Sequence, residues 1–232
     1  MKILSKNYAI NIFVDNSDVT TDVNWISKAM SAFSDLQLIP SFGNEINPMT
    51  GEKRNFLRMV TPDELLQVNM QGQMTSIAIA NNRDSIEVIR ETIFKVISGL
   101  ENLFQHKKSN RIALLTSTLV IGSEEEYQTA FNKIHKPIDG ADTPFEWDSR
   151  QAFKISIESV ESNMNAITTI RRGYHGLINQ PMQDTIVIDT DINTAHENQS
   201  LRFKYVDLND KLSHMIVRAN QMRTAAYNVV GV

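Results

Sequence analysis

The chain contains no cysteine, and this absence excludes several classes of protein at once. Without a thiol there can be no structural disulfide, no catalytic thiolate and no cysteine-ligated zinc or iron–sulfur site. The 232 residues include only nine glycines. None of them forms a glycine-rich phosphate loop, a G-x-G-x-x-G motif or a G-x-S-x-G nucleophile elbow. The commonest nucleotide-binding and serine-hydrolase signatures are therefore missing.

Long apolar runs and a strong charge of one sign are also missing. No stretch approaches the ~18 apolar residues of a membrane span, and the apolar run near the N-terminus is too short for a signal peptide. The net charge is −4, and neither half of the chain is basic. Binding to nucleic acid driven by the electrostatic field of the whole chain is thus disfavoured. Binding through a local basic patch remains an alternative. We expect a cytoplasmic protein, and the abundant isoleucine and asparagine suggest a bacterium or phage.

What is present is enough apolar sequence for a full core. With 41% hydrophobic residues, 232 residues can form one large domain or two small ones. We predict a single domain over 1–232 with a soft subdivision at 136–147, where Pro137, Gly140 and Pro144 cluster.

The segment 73–121 shows the clearest pattern of secondary structure. Strands are predicted at 73–81 and 111–121, with a helix over 84–104 between them. Asp84 and Glu87 have the spacing of a capping box at the start of that helix. Apolar residues then recur at steps of three and four, which places them on one helix face: Ile86, Ile89, Ile93, Val96, Ile97, Leu100, Leu103 and Phe104. This face must be buried, and we predict that it packs on a sheet.

The chain ends in a second predicted long helix, 207–227. Leu212, Met215, Ala219 and Met222 belong to its narrow apolar seam. The seam predicts either a helix packed on its own sheet or an interface between subunits. Hairpin signals elsewhere favour antiparallel pairing. The predicted class is α+β, with a mixed or mainly antiparallel sheet covered by two long helices, 84–104 and 207–227, plus shorter helices.

The densest group of acids and histidine follows the apolar strand Thr185–Asp189. Asp189 and Asp191 lie two residues apart, so both would point to one side of an extended chain and could share a cation such as Mg²⁺, with His196 as a further ligand. The letters begin like a calcium loop, but Thr194 stands where glycine is needed. The alternative is a polar strand end whose side chains bond their own backbone.

A second candidate site is the basic sequence Arg171, Arg172, Tyr174 and His175. Arginine offers a forked donor to phosphate and tyrosine a flat face to a base, so this patch could bind RNA or single-stranded DNA. Lys154 and Arg150 would lie across the predicted hairpin from it. The alternative is a solvated sheet edge whose charges discourage aggregation.

Three functions follow from these patterns. The first is a non-catalytic protein-interaction or regulatory protein that acts as an oligomer, has no cofactor and binds a protein partner or a second copy. It rests on the missing catalytic motifs and on the helical seam. The second is a metal-dependent hydrolase of phosphoesters using Asp189 and Asp191 with Mg²⁺. The third is nucleic-acid binding through Arg171–His175.

Overall fold

The computed structural model describes residues 1–46, 49–80, 85–136, 144–157, 160–176 and 181–232. The helices in these ranges are α1 (Val23–Ala32), α2 (Ile86–Leu103), α3 (Glu124–Ile134) and α4 (Leu208–Val230). The strands are β1 (Lys2–Phe13), β2 (Ile39–Ile46), β3 (Lys53–Val60), β4 (Leu66–Gln71), β5 (Met74–Ile79), β6 (Lys108–Ser109), β7 (Arg111–Ile121), β8 (Trp147–Ile157), β9 (Val160–His175), β10 (Gln183–Thr194) and β11 (Phe203–Lys204). None of the helices in these ranges is long and apolar enough to cross a membrane.

Nine of the strands form one sheet in the order β2-β3-β4-β5-β1-β7-β10-β9-β8. Every neighbouring pair in it is antiparallel. The short strands β6 and β11 pair separately. The subdivision predicted at 136–147 falls largely on 137–143, outside the described residues, and strands from both sides of it join this sheet.

The predicted architecture, a sheet covered by two long helices, is wrong. Helix α2 has 18 residues, and among the described helices only α4, with 23, is long. Nine strands about 4.8 Å apart span roughly 38 Å, whereas a helix is about 10 Å wide, so two helices cannot cover them. The α+β class holds, but the molecule is mainly one large antiparallel sheet. Residue 84, the predicted cap of α2, lies outside the described residues.

The helices pack on one face of this sheet and form the core there. Alternate side chains of the central strands, including Ile10, Ile12, Leu114 and Ile188, are fully buried on this face. The helices contribute to the same two apolar clusters: α1, α2 and α4 to the larger, α3 and the end of α4 to the smaller. The alternation of strand side chains therefore sends the intervening residues to the opposite face.

We call that opposite side the open face: the side chains of the nine-stranded sheet that point away from the helices. It is made mostly of small, amide and charged side chains, and most are partly exposed. The register places one row of them across all nine strands. The row consists of Ser41, Arg58, Asn69, Ser76, Asn11, Ala113, Asn193, Asn165 and Lys154.

The order of elements repeats, although the sequence shows no repeat. Strand β1, helix α1, strands β2 to β5 and helix α2 are followed by strand β7, helix α3, strands β8 to β10 and helix α4. In both halves the first strand pairs with the last strand of the meander, β1 with β5 and β7 with β10. The first strands pair with each other at the centre. The halves are thus related by an approximate two-fold rotation about an axis normal to the sheet.

Candidate functional site

Asp189 and Asp191 lie on β10 and both point to the open face, because they are two residues apart. The Arg171 guanidinium, from the neighbouring strand β9, lies 3.0 Å from the Asp189 carboxylate. Asn193 donates a hydrogen bond of 2.9 Å to Asp191. Burial raises the pKa of Asp191, and its bond to Asn193 opposes that shift. Each aspartate therefore already interacts with another side chain, Asp189 with Arg171 and Asp191 with Asn193.

His196 lies in the turn after β10, where its side chain is 72% exposed and 3.7 Å from Glu197. In the part of the chain that the structure describes, no three histidine, aspartate or glutamate side chains are grouped so that they could hold a metal ion. The fold keeps Asp189 and Asp191 on one side of the strand but does not bring His196 to them.

The predicted basic patch is divided between the two faces of the sheet. Arg171 points to the open face, and its neighbour Arg172 points to the helices. Arg172 is 5% exposed and donates to two carboxylates: its Nη2 lies 2.7 Å from Asp184, and its Nη1 lies 3.0 Å from Glu124. The hydrogen bonds to Asp184 raise the pKa of Arg172. This arginine ties the first turn of α3 to the sheet, which is a structural role.

Tyr174 and His175, the other members of that patch, belong to the end of β9. The Tyr174 side chain is exposed. The His175 Nδ1 atom lies 3.0 Å from the Gly173 carbonyl and 3.1 Å from the Thr185 hydroxyl. The alternation of β9 places Arg171 and His175 on the open face and Arg172 and Tyr174 on the helix side, so the four residues do not form one continuous surface.

The seam of α4 proposed as an interface lies mainly inside the chain. Leu212, Met215 and Ala219 are at most 2% exposed and belong to the larger apolar cluster. Only Met222 is partly exposed. Three of the four residues thus pack on the chain's own sheet and offer no surface to a partner.

The open face carries further cations, two of which, Arg150 and Lys154, were expected across the hairpin from the Arg171 patch. Arg111, Arg150 and Lys154 lie on β7 and β8 in register positions of this face. No carboxylate in the described ranges forms an ion pair with any of the three. Arg111 stacks on the Phe13 ring at 4.6 Å. The predicted pairing of Arg150 and Lys154 with the strand of Arg171 agrees with the β8–β9 register, whereas Arg111 was not expected here.

A second group that the sequence did not reveal is centred on Arg223 of α4, which is 4% exposed. It donates to the Tyr8 hydroxyl at 2.6 Å and to the Asn220 side chain at 2.9 Å. It also lies over the rings of Tyr8 and Tyr227. Burial, and secondarily the charge of Arg223, lowers the pKa of Lys6. These contacts fasten α4 to the central strands β1 and β7.

No protein-family model matches this chain, and no curated protein matches it. A function can therefore be inferred only from the surfaces described above. Paired aspartates, amides and cations on a broad sheet face are suited to binding. They do not make up the nucleophile, base and orienting group that a hydrolytic site requires.

Proposed function

We propose that this chain is a non-catalytic interaction protein that binds a protein partner on its open face. The observation that carries the proposal is the sheet face itself, which no described helix covers. We do not extend it to a metal-dependent hydrolase, because Asp189 is paired with Arg171 and Asp191 with Asn193. The predicted Mg²⁺ therefore has no free pair of carboxylates here.

The open face is large enough for a stable complex. Nine strands span roughly 38 Å, and the central strands β1 and β7, with 12 and 11 residues, are each about 37 to 41 Å long at ~3.4 Å per residue. Since β2 to β5 have only six to eight residues, the face offers on the order of 1,000 Å². A typical specific interface buries about 800 Å² on each partner.

The charges on this face favour a protein over a nucleic acid. Asp148 and the pair Asp189 and Asp191 share it with the cations, so a polyphosphate backbone would meet repulsion as well as attraction. Amide side chains lie between the charges, as in the pair Asn165 and Asn193, joined at 3.0 Å. Mixed charges and amides match the polar surface of another protein.

Site-specific photocrosslinking tests this proposal. A benzoylphenylalanine at Ser117, in the centre of the open face, should crosslink one defined protein, whereas the same group at Gln128, exposed on α3, should not. The purified partner should then bind the wild type and lose at least tenfold in affinity for Ser117→Arg, with Gln128→Arg unaffected. Equal crosslinking from both positions, or unchanged binding to Ser117→Arg, would contradict the proposal.

The oligomeric state expected from the sequence remains a prediction. The seam that suggested it is largely buried in α4, so an oligomer would have to use another surface. Light scattering at micromolar concentration measures this directly. If the protein is a monomer, the prediction of an oligomer is wrong, but the proposed binding of a partner on the open face is not affected.

A second candidate function is binding of single-stranded nucleic acid, favoured by Arg111, Arg150 and Lys154, which form no ion pair with the carboxylates that the structure describes. It predicts an oligonucleotide affinity that falls steeply with salt. Arg150→Gln combined with Lys154→Gln should weaken binding, while Arg90→Gln with Lys95→Gln on α2 should not. No binding at low salt would eliminate this candidate.

A further inference from the structure

A groove lies on the helix side of the sheet, opposite the open face, between α4, the end of α3 and strands β8 and β9. Its volume is about 300 Å³. This is at the lower end of the ~300–1,000 Å³ typical of small-molecule sites. The apolar part of its lining is formed by Ile134, Phe153, Ile170, Met222, Ala226 and Val229.

The groove exists because α4 carries small side chains where it faces the strands at the edge of the sheet. Helix α2, the equivalent element of the first half, carries large buried residues such as Ile93 and Ile97. Helix α4 instead places Ala225 and Ala226 beside the groove. Phe153 on the edge strand β8 consequently remains 54% exposed. A large aromatic side chain beside a cleft is apolar surface that a ligand can cover.

The charges around the groove are all of one sign. Lys133 at the end of α3 and Arg218 on α4 both line it, and no described carboxylate does. Neither cation forms an ion pair within the described residues, and the hydrogen bond of Arg218 is to the Gln221 side chain at 3.3 Å. Ser149, Gln151 and Thr168 add hydroxyl and amide donors on the sheet side. An apolar lining with free cations and neutral donors is complementary to an apolar ligand with an anionic end.

We propose that this groove binds an unbranched aliphatic carboxylate. The alkyl chain lies along α4 between Arg218 and Val229, which are separated by about 16 Å at ~1.5 Å of rise per residue. The carboxylate is bound by Arg218 at one end of this span. This site is separate from the open face and does not depend on the function proposed for it.

Calorimetry with decanoate and with decanol on the full chain tests the site and the charge separately. Decanoate should bind at one site per chain, and decanol at least tenfold more weakly. Lys133→Gln combined with Arg218→Gln should remove this preference, whereas Arg90→Gln with Lys95→Gln should preserve it. The methyl resonances of Met222 and Ile134 should shift as decanoate is added.

A steric variant provides an independent control. Ala225→Phe places a ring at the groove and should weaken both ligands at least tenfold. Thr224→Phe, on the adjacent exposed position outside the groove, should leave both affinities unchanged. Thermal unfolding of each variant verifies that it is folded. The proposal would be overturned if decanoate does not bind, if decanol binds equally well, or if Ala225→Phe binds normally. Tighter binding of decanol would also overturn it and would indicate an uncharged apolar ligand.

Discussion

Asp191 shows how the fold changes the chemistry of a single residue. It was considered as a metal ligand because it lies two positions from Asp189. In the sheet it is bordered by other side chains of the open face, and burial raises its pKa above the ordinary value of 3.8. A raised pKa means that folding disfavours the charged carboxylate.

Asp191→Asn should therefore stabilise the protein at neutral pH. The wild-type carboxyl contributes fully to stability below its unfolded pKa, and this contribution is lost as the pH rises through its higher folded pKa. Urea unfolding near neutral pH should show a gain for the variant that disappears at about pH 3. Asp189→Asn, which loses the ion pair with Arg171, is the control and should show no gain. A gain for Asp191→Asn that does not change with pH would contradict this account.

The adjacent arginines of β9 should differ sharply in their effect on stability. Arg172→Gln leaves the half-buried Asp184 without its partner and should cost about 2–3 kcal/mol. Arg171→Gln removes a pair on the open face, with the Arg171 side chain 48% exposed, and should cost about 0–1 kcal/mol. Urea unfolding at constant pH measures both, and equal costs would rule out the structural role of Arg172.

The sequence could predict the side to which a residue points, but not its partner. That Asp189 and Asp191 share a side follows from the two-residue period of a strand. That Asp189 meets Arg171 depends on the register between β10 and β9, which the pattern of either strand alone does not determine. The opposite roles of Arg171 and Arg172 follow from the same alternation once β9 is known to include them.

Among the elements, α2 shows how close packing can depend on one residue. A Cβ atom at Gly99 would lie 2.5 Å from the Phe33 ring and 2.8 Å from the Ala32 carbonyl oxygen. The glycine therefore lets α2 approach the end of α1. The sequence pattern of α2 alone gives no indication that Phe33 and Ala32 are the neighbours of Gly99.

Gly99→Ala should destabilise the protein even though alanine favours helix. The gain in helix propensity is about 1 kcal/mol, and overpacking typically costs about 1–3 kcal/mol. We expect a net loss of about 1–2 kcal/mol in urea unfolding, since Ala32 contributes a backbone atom that cannot rotate away. Ser98→Ala, on the exposed side of the same helix, should be neutral or slightly stabilising. A stabilised Gly99→Ala would show that the helices can move apart at no cost.

Strand β2 shows where local rules misplace an element. Proline at position 40 favours the end of a strand, yet β2 runs from Ile39 to Ile46. Proline is tolerated there because β2 is at the edge of the sheet, where a missing N–H need not cost a ladder bond. Position in the sheet is a tertiary property, so the sequence pattern alone could not supply it. The capping box of Ser123 and Glu126, by contrast, is a local sequence signal, and α3 begins at Glu124, directly after Ser123.

At the scale of the whole molecule, the number of strands in one sheet was the main thing that could not be predicted. Periodicity indicates that a strand has one or two buried faces, but it does not count the neighbours that join it. The helical patterns alone predicted a sheet covered by two long helices. The nine strands instead leave one broad face without helices. Because the number and order of the strands could not be predicted, neither the open face nor the groove beside α4 could be predicted.

The two-fold relation between the halves has a consequence for the edge of β1. The halves meet through β1 and β7, which pair antiparallel. A fragment ending after α2 would leave bare the edge of β1 that β7 now occupies. Two such fragments would present matching edges in the antiparallel orientation that β1 and β7 adopt, so a fragment of the first half is expected to pair with a second copy of itself.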